Sequence, residues 1–305
     1  MKTKLIIVGL LVSLFFATSA VGNAAINTGT FKSASIRSKV LSENITYNIY
    51  LPYGYEGGES SYPVLYLLHG RGNDKNAWKK IQSDIDELIA SHQTKPFIAV
   101  MPDAPWSDRG SYYVDSAYKT GRAVETAFIT ELIPAIDETY RSIRTRDNRI
   151  IGGYSMGGYG AIRYLLNYPQ LFGGGIVLSP AVYYPLPPAD SSTREFGAFG
   201  KNDTLFVDDI WLAKNYPLTL KVLEASGFKA SVYIAVGDDE YAVPDINERL
   251  HDLDVEAHMF YNLARRSKAI TAEFRVMQGG HGWEVWRPAF VDAVKFLLKP
   301  KEQAK

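Results

Sequence analysis

Residues 150–158 read Ile150-Ile151-Gly152-Gly153-Tyr154-Ser155-Met156-Gly157-Gly158, and Ala161, Ile162 and Leu165 follow at helical spacing. The apolar residues ahead predict a strand, the spacing behind predicts a helix, and the Gly-x-Ser-x-Gly between them predicts a sharp strand-to-helix turn. Such a turn strains its central residue, and the flanking glycines leave room for the tight backbone. Ser155 then stands above the end of a sheet at a helix N-terminus, where negative charge is favoured and the Met156 amide is placed to donate to an oxyanion. Ser155 is therefore the candidate nucleophile.

A serine hydroxyl is a weak nucleophile at neutral pH and needs a base. Of the five histidines, His69 ends an apolar strand, His92 lies in a polar connection, and His251 and His258 fall on one predicted helix. His281, within Gly279-Gly280-His281-Gly282-Trp283, follows the last predicted strand in a glycine-rich loop and is the candidate base. An acid is then required between Ser155 and His281 in the chain. Gly237-Asp238-Asp239-Glu240 supplies three, and the residues alone do not rank them. A second oxyanion donor is expected from His69-Gly70-Arg71-Gly72, where glycines flank Arg71 and free its amide to turn toward a substrate carbonyl. The Arg71 side chain is left for substrate or solvent.

Working outward, short apolar runs at 64–68, 97–101, 150–152, 175–178, 232–236 and 272–277 predict strands buried on both faces of a largely parallel sheet. More strictly alternating runs at 31–36 and 44–51 predict antiparallel strands leading into it. Phe128, Leu132, Ile136 and Tyr140 share a face of a predicted helix over 123–141, kinked by Pro134, and further helices are expected over 246–265 and 288–298. Strand–helix alternation of this kind predicts an α/β fold, a three-layer sandwich with helices on both faces of the sheet. Residues 104–118 and 183–209, rich in Pro, Gly, Ser, Asp and aromatics, are long loops expected to wall a substrate cleft. Trp106, Tyr112, Tyr113, Tyr183 and Tyr184 in them are candidates for stacking on a sugar or aromatic acyl group, or for packing the loops themselves.

The chain of 305 residues carries 33 Lys plus Arg against 33 Asp plus Glu, so no overall field draws it to nucleic acid or an anionic membrane. With no cysteine, disulfides, thiolate metal sites and a cysteine nucleophile are excluded. His251 and His258 amid acidic residues suggest metal ligands, yet seven helical residues separate them by about 10 Å of rise, too far to share an ion. Lys2 and Lys4, an apolar run over 5–17 and small residues to Ala25 have the layout of a secretory signal. Residues 1–24 are accordingly expected to be a signal peptide, cut after Ala20 or Ala24, and 25–305 a single catalytic domain, secreted or periplasmic, with no stable membrane insertion after cleavage.

Together, Leu65-Tyr66-Leu67-Leu68-His69-Gly70 with Trp78, Met101-Pro102-Asp103, Gly153-Tyr154-Ser155-Met156-Gly157-Gly158, Ser179-Pro180 and Gly280-His281-Gly282-Trp283 with Trp286 resemble the esterase-D-like family of α/β-hydrolases. That family includes feruloyl and acetyl-xylan esterases, S-formylglutathione hydrolases, siderophore esterases and mycolyltransferases. The resemblance implies an α/β-hydrolase fold and a serine esterase working through an acyl-enzyme without cofactor or metal. It implies Ser155 as nucleophile, His281 as base, and the amides of Met156 and Arg71 as oxyanion hole. Its acid position falls on Glu240, where family members mostly carry Asp, with Asp239 as rival. Trp78, Trp283 and Tyr154 are the expected substrate contacts. Export favours an ester met outside the cytoplasm, such as a feruloyl or acetyl ester of a polysaccharide, over a glutathione thioester. A siderophore esterase, an acyltransferase, and an inactive binding protein on the same scaffold are the alternatives.

Overall fold

The structure is a computed structural model describing residues 27–104, 110–240 and 251–300. The signal-peptide expectation and Trp106 lie outside these residues, and no helix among them is long and apolar enough to cross a membrane.

The main sheet contains β1 (Thr30–Arg37), β2 (Asn44–Leu51), β3 (Val64–Leu68), β4 (Ile98–Pro102), β6 (Arg149–Tyr154), β7 (Gly174–Leu178), β9 (Ala230–Gly237) and β10 (Ile270–Met277) in the order β1-β2-β4-β3-β6-β7-β9-β10. The first two strands run antiparallel, as their alternation predicts, and from β4 to β10 every pair is parallel. Successive residues of a strand point to opposite faces. Tyr66, Leu68 and Ile151 enter one apolar core, under helices α2 (Val124–Ala127), α3 (Ile133–Thr139), α4 (Met156–Asn167), α6 (Tyr216–Ser226) and α7 (Leu253–Ala264). Leu65, Leu67 and Ile150 enter the other, under α1 (Gln82–Ala90) and α8 (Trp283–Leu297). Covering both faces explains why the inner strands read as unbroken apolar runs, and the result is the three-layer α/β sandwich.

Four expectations are corrected. The edge strand β10 is half exposed, with Val276 in solvent, so its apolar run did not signal burial on two sides. The 123–141 helix is divided by a π-helical stretch, Phe128–Leu132, just before Pro134. Pro134 has no N–H to offer the preceding turn, and the wider turn accommodates that loss in place of a simple kink. The last helix begins at Trp283, and Pro288 lies inside it where a helix start was expected. His251 precedes α7 instead of sharing it with His258; residues 246–250 lie outside the described part.

The two long loops are not independent. Ala117–Tyr118 (β5) pairs with Lys201–Asn202 (β8), forming a two-stranded parallel ladder between them. Ser116 Oγ donates to the Gly197 carbonyl at 2.5 Å, and the Tyr112 and Thr193 hydroxyls share a hydrogen bond at 2.8 Å. Tyr112, Tyr159 of α4, Phe199 and Trp211 of α5 (Asp208–Lys214) pack ring against ring at 4.8–5.7 Å, seating the joined loops on the helix that follows Ser155. Tyr112 is buried in this packing, Tyr183 against Trp211 and Tyr113 against His69, and Tyr184 is exposed.

Beneath them, Arg163 Nε of α4 donates to Glu125 Oε2 of α2 at 2.8 Å, with both side chains under a tenth exposed. Tyr168 donates to the other oxygen, and Arg163 also reaches the Lys214 carbonyl. Replacing Glu125 with Leu leaves a buried, uncompensated guanidinium, so denaturant titration should show a stability loss of about 3–5 kcal/mol.

Candidate active site

Ser155 sits between β6 and α4 with φ 56° and ψ −122°, a conformation costing a non-glycine residue about 1–3 kcal/mol. Its amide donates to the Leu178 carbonyl of β7 at 2.9 Å, and its own carbonyl accepts from the Ala181 amide at 3.0 Å. Neighbouring glycines are required by contact: a Cβ on Gly153 would lie 2.3 Å from the Gly157 carbonyl oxygen, and one on Gly157 2.3 Å from that of Leu68. The turn is thus wedged between the ends of β3 and β7. The Met156 amide opens α4, where the first N–H groups have no intrahelical acceptor.

After β9 the chain turns so that Asp238 and Asp239 face solvent while Glu240 folds inward, its side chain fully buried. Glu240 Oε1 accepts from the Gly237 amide and the Ser179 hydroxyl, each at 2.6 Å, and Oε2 lies 2.8 Å from His281 Nδ1. A carboxylate only accepts, so Nδ1 carries the proton and Nε2 keeps a free lone pair. Asp238 accepts from the Gly279 amide at 2.9 Å and so shapes the histidine loop. Of the three competing acids, Glu240 is the one that meets the imidazole.

Two residues that sequence reasoning left without a role complete this unit. Trp286 Nε1 donates to Ser179 Oγ at 2.8 Å, which aims the Ser179 proton at Glu240. The same indole lies edge-on to His281 at 5.0 Å and stacks on Tyr154 at 4.2 Å. Trp286 therefore touches the residue before Ser155, the histidine, and the serine that holds Glu240. Its signal was the Ser-Pro after β7 and the second tryptophan after His281, both visible as motif residues but not as partners. The hydrogen-bonded chain ends at His281; among the described residues it forms no bond to the Ser155 hydroxyl, a contact that in many such sites tightens only when substrate binds.

Arg71 occupies a tight turn, closed by the Asn73 amide on the Gly70 carbonyl at 3.2 Å, with Gly72 at φ 73°. Its guanidinium lies 5.5 Å from the Phe196 ring in the second long loop. His69 is fully buried: Nε2 accepts from the Ala104 amide at 3.0 Å, and Nδ1 donates to the Gly70 carbonyl at 2.8 Å. It ties the ends of β3 and β4 and takes no part in the chain from Trp286 to His281.

The expected substrate contacts need correction. Trp78 has no exposed surface and donates to the Leu68 carbonyl, and Tyr154 is equally enclosed. Both rings pack with Trp283, supporting the floor beneath Ser155 instead of meeting a ligand. Trp283 is partly exposed, with Lys80 over its face at 5.3 Å.

A family model described as "Putative esterase" matches residues 38–297. The chain belongs to this esterase family. It is 33% identical over 220 residues to an endo-1,4-beta-xylanase/feruloyl esterase of Xylanibacter ruminicola, covering 70% of this chain and 29% of that protein. It is 25% identical over 279 residues to an acetyl esterase of Caldicellulosiruptor saccharolyticus, covering 86% and 96%. The chain thus spans less than a third of the first of these relatives and nearly all of the second. A solved ferulic acid esterase superposes with a TM-score of 0.71 at 27% identity, over 89% of this chain and 98% of the other. An S-formylglutathione hydrolase from Agrobacterium tumefaciens shares the α/β-hydrolase fold, with a TM-score of 0.67 at 19% identity over 90% and 96%.

A second buried carboxylate lies on α7. Glu256 of α7 is fully buried; its two oxygens accept from the Tyr184 amide at 3.0 and 3.1 Å, and Oε1 also meets His251 Nδ1 at 2.8 Å. Burial outweighs these donors and pushes its carboxyl up to about 7. A carboxyl raised on folding contributes stability below its unfolded value and loses it as pH rises through the folded one. Between about pH 5 and about pH 8 the wild-type melting temperature should therefore fall more steeply than that of Glu256→Gln, which stays neutral. Separately, Ser179→Ala strands the Trp286 N–H and removes a donor from Glu240, and calorimetry should register a loss of about 1–3 kcal/mol.

Proposed function

We propose that this chain is a serine carboxylic-ester hydrolase acting through an acyl-enzyme. The observation that carries this reading is the Trp286–Ser179–Glu240–His281 hydrogen-bonded chain, anchored beside the strained Ser155. Ser155 Oγ attacks the ester carbonyl as its proton passes to His281 Nε2. Glu240 holds the imidazole in the tautomer with Nδ1 protonated and stabilises the imidazolium that forms. The amides of Met156 and Arg71 donate to the oxyanion, where one well-placed donor is worth about a hundredfold or more in rate. His281 then protonates the departing alcohol. Water enters, gives its proton to His281 and attacks the acyl carbonyl, and the acid leaves as Ser155 regains its proton.

The substrate is an ester met outside the cytoplasm, a feruloyl or acetyl ester of a carbohydrate. The relatives' names, a xylanase/feruloyl esterase and an acetyl esterase, support the acyl groups, and the basic and apolar residues at the start of the chain, which read as an export signal, support the location.

The test is hydrolysis of p-nitrophenyl acetate, methyl ferulate and acetylated xylan by single variants. Ser155→Ala and Glu240→Gln should each lower kcat by about 10⁴-fold. Asp239→Asn should stay close to wild type. Full turnover in Ser155→Ala would refute the mechanism, and loss in Asp239→Asn with activity kept in Glu240→Gln would move the acid to Asp239.

A further inference from the structure

A groove of about 340 Å³ opens beside α7, away from the chemistry just described. One wall is Tyr184 with Tyr216 and Pro217 behind it; the other is Met259 and Asn262 of α7 and, just past its end, Arg266. Positions 259, 262 and 266 fall on one face at helical spacing, so three different chemistries line up along the groove. Tyr184 is 44% exposed, an unusual state for a ring so firmly mounted. Its amide is fixed by the buried Glu256, and its ring rests against the buried Tyr216 at 6.3 Å. A rigid, exposed aromatic loses little freedom when covered, which is what a stacking platform needs. Among the described residues the Asn262 amide and the Arg266 guanidinium make no hydrogen bond or ion pair, so both are available to a ligand.

Both walls spring from residues tied to Glu240. Tyr184 follows Ser179 by five residues, at most about 18 Å of chain. On the other side, the Leu253 amide that opens α7 donates to the Glu240 carbonyl at 3.0 Å, and Arg266 lies about 20 Å along from there. The groove is thus tied to Glu240 through its frame: Glu256 of α7 holds the Tyr184 amide, and the first amide of the same helix is held by the Glu240 carbonyl.

We infer that this groove is a subsite for an acidic oligosaccharide, with a sugar ring on Tyr184, its hydroxyls on Asn262 and a uronate carboxylate on Arg266. The inference rests on the reading of the site as one for acylated carbohydrate and adds what it selects. A pyranose offers an apolar face to the tyrosine and hydroxyls to the amide, and a carboxylate is the anion a guanidinium binds in a two-pronged fashion. Among the described residues that line the groove, Arg266 is the one cation, which suits a sparsely charged glycan, whereas a nucleic acid requires a run of them.

Binding is measured without turnover, using full-length Ser155→Ala protein and xylo-oligosaccharides with and without glucuronate substituents, followed by calorimetry. Tyr184→Ala should weaken both ligands about tenfold, and Arg266→Ala should weaken only the glucuronate-bearing one, by about tenfold, the loss of one charge-assisted contact. In the wild-type background, both variants should hydrolyse p-nitrophenyl acetate normally and show a raised KM with unchanged kcat on acetylated glucuronoxylan. Binding of the charged ligand unaffected by either substitution overturns the subsite. So does an equal loss of p-nitrophenyl acetate turnover in Tyr184→Ala, which would make Tyr184 a structural support. If no ester is hydrolysed at all while these binding differences hold, the hydrolase reading fails and the subsite stands.

Discussion

The whole site depends on one backbone constraint, the positive φ of Ser155. No serine adopts it without help, and the help comes from two neighbouring strands at once. Leu178 at the end of β7 accepts the Ser155 amide, and the carbonyl of Leu68 at the end of β3 presses so close to Gly157 that no side chain fits there. Strain at a functional residue persists only where its surroundings over-determine it. Here the parallel sheet does so, because its strand ends converge on the same turn. The same convergence brings the loops after β3, β7 and β9 to one edge, which is why Ser179 and Glu240 meet there although they are far apart in the chain.

Glu240, at a position where the family resemblance leads one to expect Asp, has a local physical account. Glu240 lies three residues after Gly237 and bends back so that one oxygen satisfies the amide of its own turn while the other reaches His281. The extra methylene spans that gap, and Ser179 closes the remaining freedom. An unsupported glutamate would sample several rotamers; two donors on Oε1 leave it one. Trp286 then links Ser179 below Glu240, His281 and Tyr154 through a single ring.

Much of this was legible in the residues. The Gly-x-Ser-x-Gly run, with apolar residues before it and helical spacing after it, carries the turn, the central strand and the helix together, because each imposes its own period on the sequence. Glu240 could not be separated from Asp238 and Asp239 by composition, since all three are acids within one turn and only the direction of the fold-back distinguishes them. Trp78 and Tyr154 misled for a related reason: aromatic residues beside a catalytic motif look like ligand contacts, yet the motif's own floor must be built from something, and these rings build it. Pro288 misled because proline favours a helix start, whereas α8 begins at Trp283 under the pull of its apolar face. The pairing of the two long loops had no local signal, because a ladder two residues long leaves no periodicity to read.

That short ladder changes how the two loops behave. Strands β5 and β8 come from segments more than eighty residues apart, and the aromatic rings beneath them bind both to α4. Among the described residues, each segment is held by the other. Displacing either would mean parting the ladder or lifting a shared aromatic base off α4, a concerted displacement in place of a local one. A push on one segment is therefore passed to the other, and the pair behaves as one coupled body.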